Sequence, residues 1–471
     1  MKKRTNLCVV LALVITAGSC VFAQKKQTGA ITPSLLDKIK KECVFTGQQK
    51  GIINAVSANN TSNLIINREH AGKIDHNYAV KLEIKGITDQ QSTGRCWLFT
   101  SLNVLRQRVR EKYNLPSFEF SENYPFFWDQ FEKANLFLEG IIATRHKDMK
   151  DRRVEWLFRN TVGDGGVWNM AVSLIEKYGL VPKSAMPETY HSEHTYAMRR
   201  VLQLKLKEQG LTLRSMAQKG QGEKELRKEK ESMLADIYKL LVYHLGQPPE
   251  TFSWRYAEKD GKISTAEKFT PLEFYKETLS VNLHDYVMLM NDPTRPYYKL
   301  YEIDYDRNVV ESFNWKYINL PTEDIKTYGL KSLLDGEPMY FSCDVGKQLD
   351  RDAGILSLEN YDYESLFGVT FGMDKKDRIL ASASGSTHGM ALVGVDTSET
   401  GATTKWLLEN SWGPGAGHNG YLSMTDEWFD EYMFRLVVLK KYIPAKILKI
   451  LKQKPVMLEP WDPMYLPIED K

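Results

Sequence analysis

The chain has 471 residues, 42% hydrophobic and 26% charged, the make-up of a soluble globular protein with room for roughly two to four domains. Its 63 Lys and Arg against 60 Asp and Glu give a net charge of +3, and Lys2, Lys3 and Arg4 account for the excess. The remainder therefore lacks the net basic field that nucleic-acid binding calls for, and no later segment approaches the ~20 apolar residues of a membrane-spanning helix.

The start, "MKKRTNLCVVLALVITAGSCVFAQKK", has a basic opening, an apolar run from Leu7 to Thr16 and then small residues. That pattern predicts a secretory signal over residues 1–23, cut after Val21-Phe22-Ala23, and an exported, periplasmic or secreted protein. Lipid attachment at Cys20 is the alternative. Of the five cysteines, Cys8 and Cys20 would leave with the signal, and Cys43, Cys96 and Cys343 would remain. An odd number in an exported chain leaves at least one thiol outside any intramolecular bridge.

Residues 24–89 read as a polar N-terminal arm with turn signals in "SANNTSN". Over 96–113, Leu98, Leu102, Leu105 and Val109 recur at helical period, and Pro116 closes the segment. Residues 118–145 and 168–178 are aromatic-rich and helical in pattern, with Gly179 as a stop and Pro182 beyond it. Residues 195–245, including "KGQGEKELRKEKES", read as a solvated helical pair rather than a nucleic-acid patch. Residues 250–330 mix short apolar runs with turns. From Pro338 the pattern becomes strands: "PMYFSCDV", "GMALVGVD", "TKWLLEN", "GYLSM" and "RLVVLKKY". The tail from 446 is a short helical piece followed by Pro-rich "EPWDPMYLPIEDK".

In "DQQSTGRCWLF", Cys96 stands directly after a Gly94 turn, at the first turn of the predicted helix. Backbone N–H groups and the positive end of the helix dipole favour thiolate there, which is the nucleophilic form. The plain reading of such a cysteine is a core residue, but the core stripe runs through Leu98 and Leu102 instead. A thiolate needs a base and an orienting group. A hairpin folded at "TSETGA" sets His388 opposite Asn410, within reach for the amide oxygen to hold the imidazole N–H, with Trp412 able to shield that bond. A histidine at a strand end is otherwise an ordinary surface or core group. Gln90 is a candidate oxyanion donor beside the Cys96 N–H, with Gln91 as its competitor. His191 and His194 have metal-compatible spacing but no third ligand, so neither a metal nor a cofactor is expected.

Gln90, Cys96-Trp97, His388-Gly389 and Asn410-Ser411-Trp412-Gly413 resemble the papain-like cysteine peptidase pattern. "GRCWLF", "NYPFFWDQFEKANLFLE", "LIEKYGLVPKS", "LGQPPETFSW", "CDVGK" and "PWDPM" are similar, within it, to the bleomycin hydrolase and aminopeptidase C branch, over about residues 35–464. The resemblance implies an α+β, papain-like two-lobe fold with a helical lobe, an antiparallel β-barrel lobe and a large helical insertion. Its domains would be a helical lobe at 90–190, an oligomer-building insertion at 191–335, a β-rich lobe at 336–445 and a tail at 446–471 near the active site. The Cys-to-His separation is about twice the roughly 130–150 residues of papain itself, which leaves room for that insertion.

The resemblance further implies catalysis by Cys96, His388, Asn410 and Gln90, peptide substrates, and homohexamers. In this branch the terminal carboxylate receives the substrate's amine and makes an aminopeptidase. Here seven residues, Tyr465 to Lys471, follow "DPM", more than in relatives. Endopeptidase activity is therefore kept as an alternative, beside a non-enzymatic chamber or nucleic-acid-binding scaffold.

Overall fold

The computed structural model describes residues 29–465, in two compact units. The first, described from residue 29 to Leu64, is helical: Pro33–Glu42, capped by the Thr32 hydroxyl, and Gly47–Ala58, entered through a Thr46–Gln49 capping box. None of their residues is buried, and Leu35, Leu36, Ile39 and Phe45 are exposed. The expected arm of 24–89 is therefore divided, because residues from Ile65 onward belong to the second unit. Val80–Lys81 there pairs with a central strand.

The second unit is built on a 12-stranded sheet. Its central strands are Tyr286–Met290, Met433–Leu439, Met339–Cys343, His388–Thr397, Thr403–Glu409 and Tyr421–Thr425, in that spatial order. They read as continuous apolar runs because both faces are covered. Tyr340, Ala391, Val393 and Val437 face one apolar cluster, shared with the helices Cys96–Lys112, Asn123–Ala143 and Trp168–Tyr178. Phe341, Met390, Leu392 and Val438 face the other, with Ile325 and Tyr328 of helix Thr322–Leu334.

The predicted Cys96 helix runs from Cys96 to Lys112, and Leu98, Leu102, Leu105 and Val109 are all buried. Gly179 takes φ +81° at the end of Trp168–Tyr178, packed so tightly on Pro271 that a Cβ would clash at 2.2 Å. The charged segment forms helices Tyr196–Gln218 and Glu223–Leu245. They are solvated on one side only, since Leu202, Leu206, Leu213, Met233, Ile237 and Leu241 are buried.

Two findings differ from the sequence reading. Residues 286–319, read within a helical insertion, supply three strands to the sheet: Tyr286–Met290, Lys299–Ile303 and Lys316–Asn319. The hairpin of His388–Thr397 and Thr403–Glu409 also carries irregularities at Leu392/Gly394 and Asp396/Thr397. Its register is Ala391↔Glu409; continued three residues, it sets Trp412, not Asn410, across from His388. Alternation of residue types does not encode a bulge, so a symmetric fold about the turn misplaces the pairing.

Candidate active site

The segment before the Cys96 helix is held by its backbone to the residues that follow strand Thr403–Glu409. The Gln90 N–H donates to the Ser411 carbonyl at 2.8 Å, and Asp89 bridges to Trp412. The chain then turns through Thr93 and Gly94, and Arg95 caps the helix without a side-chain bond. Cys96 opens the first turn, partly exposed, on the wall of a cleft of about 330 Å³. Gln90, Trp97, His388 and Gly389 share that wall. Gly389 allows the close approach of strand and helix: a Cβ there would lie 3.5 Å from the Trp97 Cα and 3.4 Å from the Thr100 Oγ1.

His388 is 6% exposed and Asn410 1%, so the bond between them is shielded from water. His388 Nε2 lies 2.8 Å from Asn410 Oδ1. The same oxygen accepts the Ser411 backbone N–H at 2.8 Å. A backbone N–H is always a donor, so the atom facing the ring is an acceptor and the ring proton sits on Nε2. Nδ1 is then the nitrogen that can take a proton. The Trp412 ring lies 4.8 Å from that of His388, centroid to centroid, and the Arg351 guanidinium stacks on Trp412 at 5.1 Å. Burial pushes the imidazole down to about 4; the Asn410 bond pulls it up and the Arg351 charge pushes it further down. Burial thus favours the neutral, proton-accepting form of the ring. An adjacent thiolate would favour its charged form.

Gln90 is buried, and its amide is oriented at both ends. Oε1 accepts the Ser411 hydroxyl at 2.7 Å, and Nε2 donates to the Thr93 carbonyl at 2.6 Å. That leaves the second Nε2 hydrogen for another acceptor. Gln91 is exposed, at φ +53°, with its amide on Asp89 at 2.8 Å. The structure therefore brings Gln90, Cys96 and His388 to one cleft with Asn410 behind the ring, and leaves Gln91 outside.

Sequence reasoning missed other side chains of the cleft wall, among them Asp164, Thr195, Tyr196, Arg199, Tyr340 and Arg435. One sequence signal does point there. Asp164 precedes a Gly-Gly pair, and Gly166 meets the Trp97 ring so closely that a Cβ would lie 2.5 Å from it. Among the other histidines, His194 Nδ1 lies 3.1 Å from the Tyr190 carbonyl, and the His191 ring packs edge-on against His244. His418 stacks on His76 at 3.8 Å. Among the described residues no group of three or more His, Cys, Asp or Glu could hold a metal ion, and no helix is long and apolar enough to cross a membrane. Cys343, in register with His388, is a buried thiol whose pKa burial pushes well up, and Cys43 is an exposed one.

A mixed helix-and-sheet unit that sets a thiol, an imidazole and an amide around one cleft is the papain-like C1 peptidase fold. The family model described as Peptidase C1-like family matches residues 30–465, and the chain belongs to that family and is a cysteine peptidase. It is 41% identical to bleomycin hydrolase of Homo sapiens over 82% of this chain and 87% of the human one. It is 37% identical to aminopeptidase C of Lactobacillus delbrueckii subsp. lactis, over 83% and 88% of the two chains. The crystal structure of pepw from Lactobacillus rhamnosis HN001 superposes with a TM-score of 0.89 at 36% identity, covering 93% of this chain and 99% of that one.

These relatives overturn the expectation of export. Bleomycin hydrolase and aminopeptidase C are cytosolic enzymes, so a periplasmic or secreted location and attachment at Cys20 are withdrawn. That reading rested on residues 1–23, which lie outside the described residues, and on a basic opening plus a short apolar run.

Proposed function

We propose that this chain hydrolyses the N-terminal peptide bond of peptides through a Cys96 thioester. Cys96 Sγ attacks the carbonyl carbon while His388 Nδ1 takes the thiol proton. Asn410 holds Nε2–H and fixes the ring, and Gln90 Nε2–H and the Cys96 N–H face the oxyanion. Collapse expels the amine, which leaves with the proton from His388. Water, deprotonated by the same ring, then attacks the thioester and releases the acid. The observation that carries this reading is the 2.8 Å bond from His388 Nε2 to Asn410 Oδ1, with the ring on the same cleft wall as Cys96.

Activity restricted to free N-termini is supported by the path of the tail. The buried Arg435 lines the cleft and donates through Nη2 to the Met464 carbonyl at 2.7 Å. The end of the described chain is thus tied to a residue of the cleft wall. The chain is a cysteine-type aminopeptidase, in keeping with the names of its relatives.

The two-lobe reading, with lobes at 90–190 and 336–445, belongs to this proposal. Support comes from the cleft itself, which takes Cys96 from the first and His388 from the second. Within the insertion at 191–335 the long helices are Tyr196–Gln218 and Glu223–Leu245, with shorter ones at Pro271–Thr278 and Thr322–Leu334. A homo-oligomer, hexameric by resemblance, accords with the exposed Leu35, Leu36 and Ile39 of helix Pro33–Glu42.

Cys96→Ala is expected to lower hydrolysis of an unblocked aminoacyl amide by at least ~10⁴-fold with the circular dichroism spectrum unchanged. N-acylated substrates should resist the unaltered enzyme. Residual activity in the variant would remove the thioester mechanism, and ready cleavage of blocked peptides would return the endopeptidase reading.

A further inference from the structure

Asp164 lies outside the four residues singled out in the sequence, yet it touches the turn that presents them. Its carboxylate is buried, at 3% exposure. Oδ2 accepts the Gly94 N–H at 3.3 Å and the Thr195 hydroxyl, and stands 3.8 Å from Arg199 Nη1. Its carbonyl accepts Trp97 Nε1–H at 2.7 Å. A Cβ on Gly94 would lie 3.0 Å from the Asp164 Cβ, so the two backbones are in close register. One residue therefore grips both sides of Cys96, Gly94 before it and Trp97 after it. It also joins them to Thr195 and to Arg199 of helix Tyr196–Gln218.

The gripped turn is where the oxyanion donors are set. Gln90 Nε2 is held by the Thr93 carbonyl, one residue before Gly94, and the Cys96 N–H follows two residues after it. Donors to an oxyanion act by being fixed in place beforehand, and loss of one costs ~10²–10³-fold in kcat. A bare carboxylate so near a developing oxyanion would oppose it, and Arg199 supplies the balancing charge.

We infer that Asp164 is a positioning residue for the oxyanion hole, clamping the Thr93–Gly94 turn to the start of helix Tyr196–Gln218, with Arg199 neutralising it. The added helices thereby act on the chemistry as well as on the architecture. The inference rests on the thiol mechanism at Cys96, which the Cys96→Ala variant tests by itself.

The test compares Asp164→Ala, Asp164→Asn, Thr195→Val and Arg199→Met with the unaltered enzyme, all rates being expressed per alkylatable Cys96. An aminoacyl aldehyde reports the oxyanion hole, since its hemithioacetal carries the oxygen; iodoacetamide reports the thiolate alone. Asp164→Ala should lose ~10–100-fold in kcat and a similar factor in aldehyde affinity. KM and the alkylation rate should stay within about threefold. Asp164→Asn and Thr195→Val, each keeping part of the clamp, should fall between. Arg199→Met should lower kcat because the uncovered carboxylate opposes the oxyanion. Aldehyde affinity unchanged in Asp164→Ala, or alkylation falling in step with kcat, would overturn the assignment. So would losses that vanish once rates are corrected for intact sites, which would leave Asp164 a folding contact.

Discussion

At the scale of single residues, the Asn410 amide decides what the His388 ring can do. Its oxygen takes two donors, His388 Nε2–H and the Ser411 N–H, and so cannot rotate to present its amine without losing both. Burial disfavours the imidazolium, and the Asn410 bond is the contact that favours it. Since Cys96 gives its proton to that ring, anything that destabilises imidazolium also destabilises thiolate. The sign follows: in Asn410→Ala, thiolate forms only at higher pH. A hydrogen bond to a charged group is worth ~1.5–3 kcal/mol and one pKa unit is ~1.4 kcal/mol. The acid limb of the pH profile for Cys96 alkylation should therefore move up by about one to two units. An unmoved limb would mean that Asn410 does not act through the ring. The pair was legible in the sequence because a histidine and an asparagine flank one hairpin. Asp164 was not, because its partners Gly94 and Thr195 are distant in sequence and no local pattern marks a carboxylate that caps a remote turn.

Between elements, the Cys96 helix must keep its place against the strand that leads to Asn410. Leu98, Leu102, Leu105 and Val109 supply the apolar seat, which their helical period reveals directly. The polar lock does not show in the pattern: Arg106, nearly three turns along the helix, is ion-paired with Glu409, the residue before Asn410, and both are buried. Arg106 also donates to the Gly86 carbonyl, and so ties in the segment that carries Gln90. Two buried charges gain little over a well-packed apolar pair, but one left alone costs ~3–5 kcal/mol. Burial pushes the Glu409 carboxyl up to about 7 and offsets part of the pair's attraction, so Glu409→Gln should lower stability in urea unfolding by at most about 3 kcal/mol. The double change Arg106→Met with Glu409→Leu should recover most of that loss, and equal losses in both would show that the pair contributes through its own attraction. The strands at 286–319 escaped the sequence reading for a related reason. Each has only four or five residues, and each is specified by its neighbours in the sheet more than by its own alternation.

Across the whole second unit, the last described residues form a strap. Val456–Leu458 adds a parallel strand to Lys299–Ile303. Arg153 pairs with Glu459 at 2.9 Å, Arg152 stacks on Trp461 at 4.3 Å, and Arg295 pairs with Asp462 at 2.5 Å. Arg435 then takes the Met464 carbonyl, and the Tyr465 ring packs edge-on against Trp156 at 5.5 Å. These contacts anchor the chain up to residue 465, so the segment beyond it and the strap itself should fail in different ways. Removal of 466–471 keeps every contact just named. The melting temperature should stay within about 2 °C, while N-acylated peptides, which the full chain should refuse, should become substrates. Removal of everything from Val456 onward withdraws the Met464 carbonyl and leaves the Arg435 guanidinium, a buried cation, without its hydrogen-bond acceptor. That costs ~1–3 kcal/mol before the lost apolar contacts are counted. If instead the short truncation melts like the long one, the tail is part of the fold and not a separate selector of free N-termini. If the short truncation folds normally and still refuses blocked peptides, discrimination lies in the cleft wall itself, where Arg199, Tyr196 and Asp164 stand.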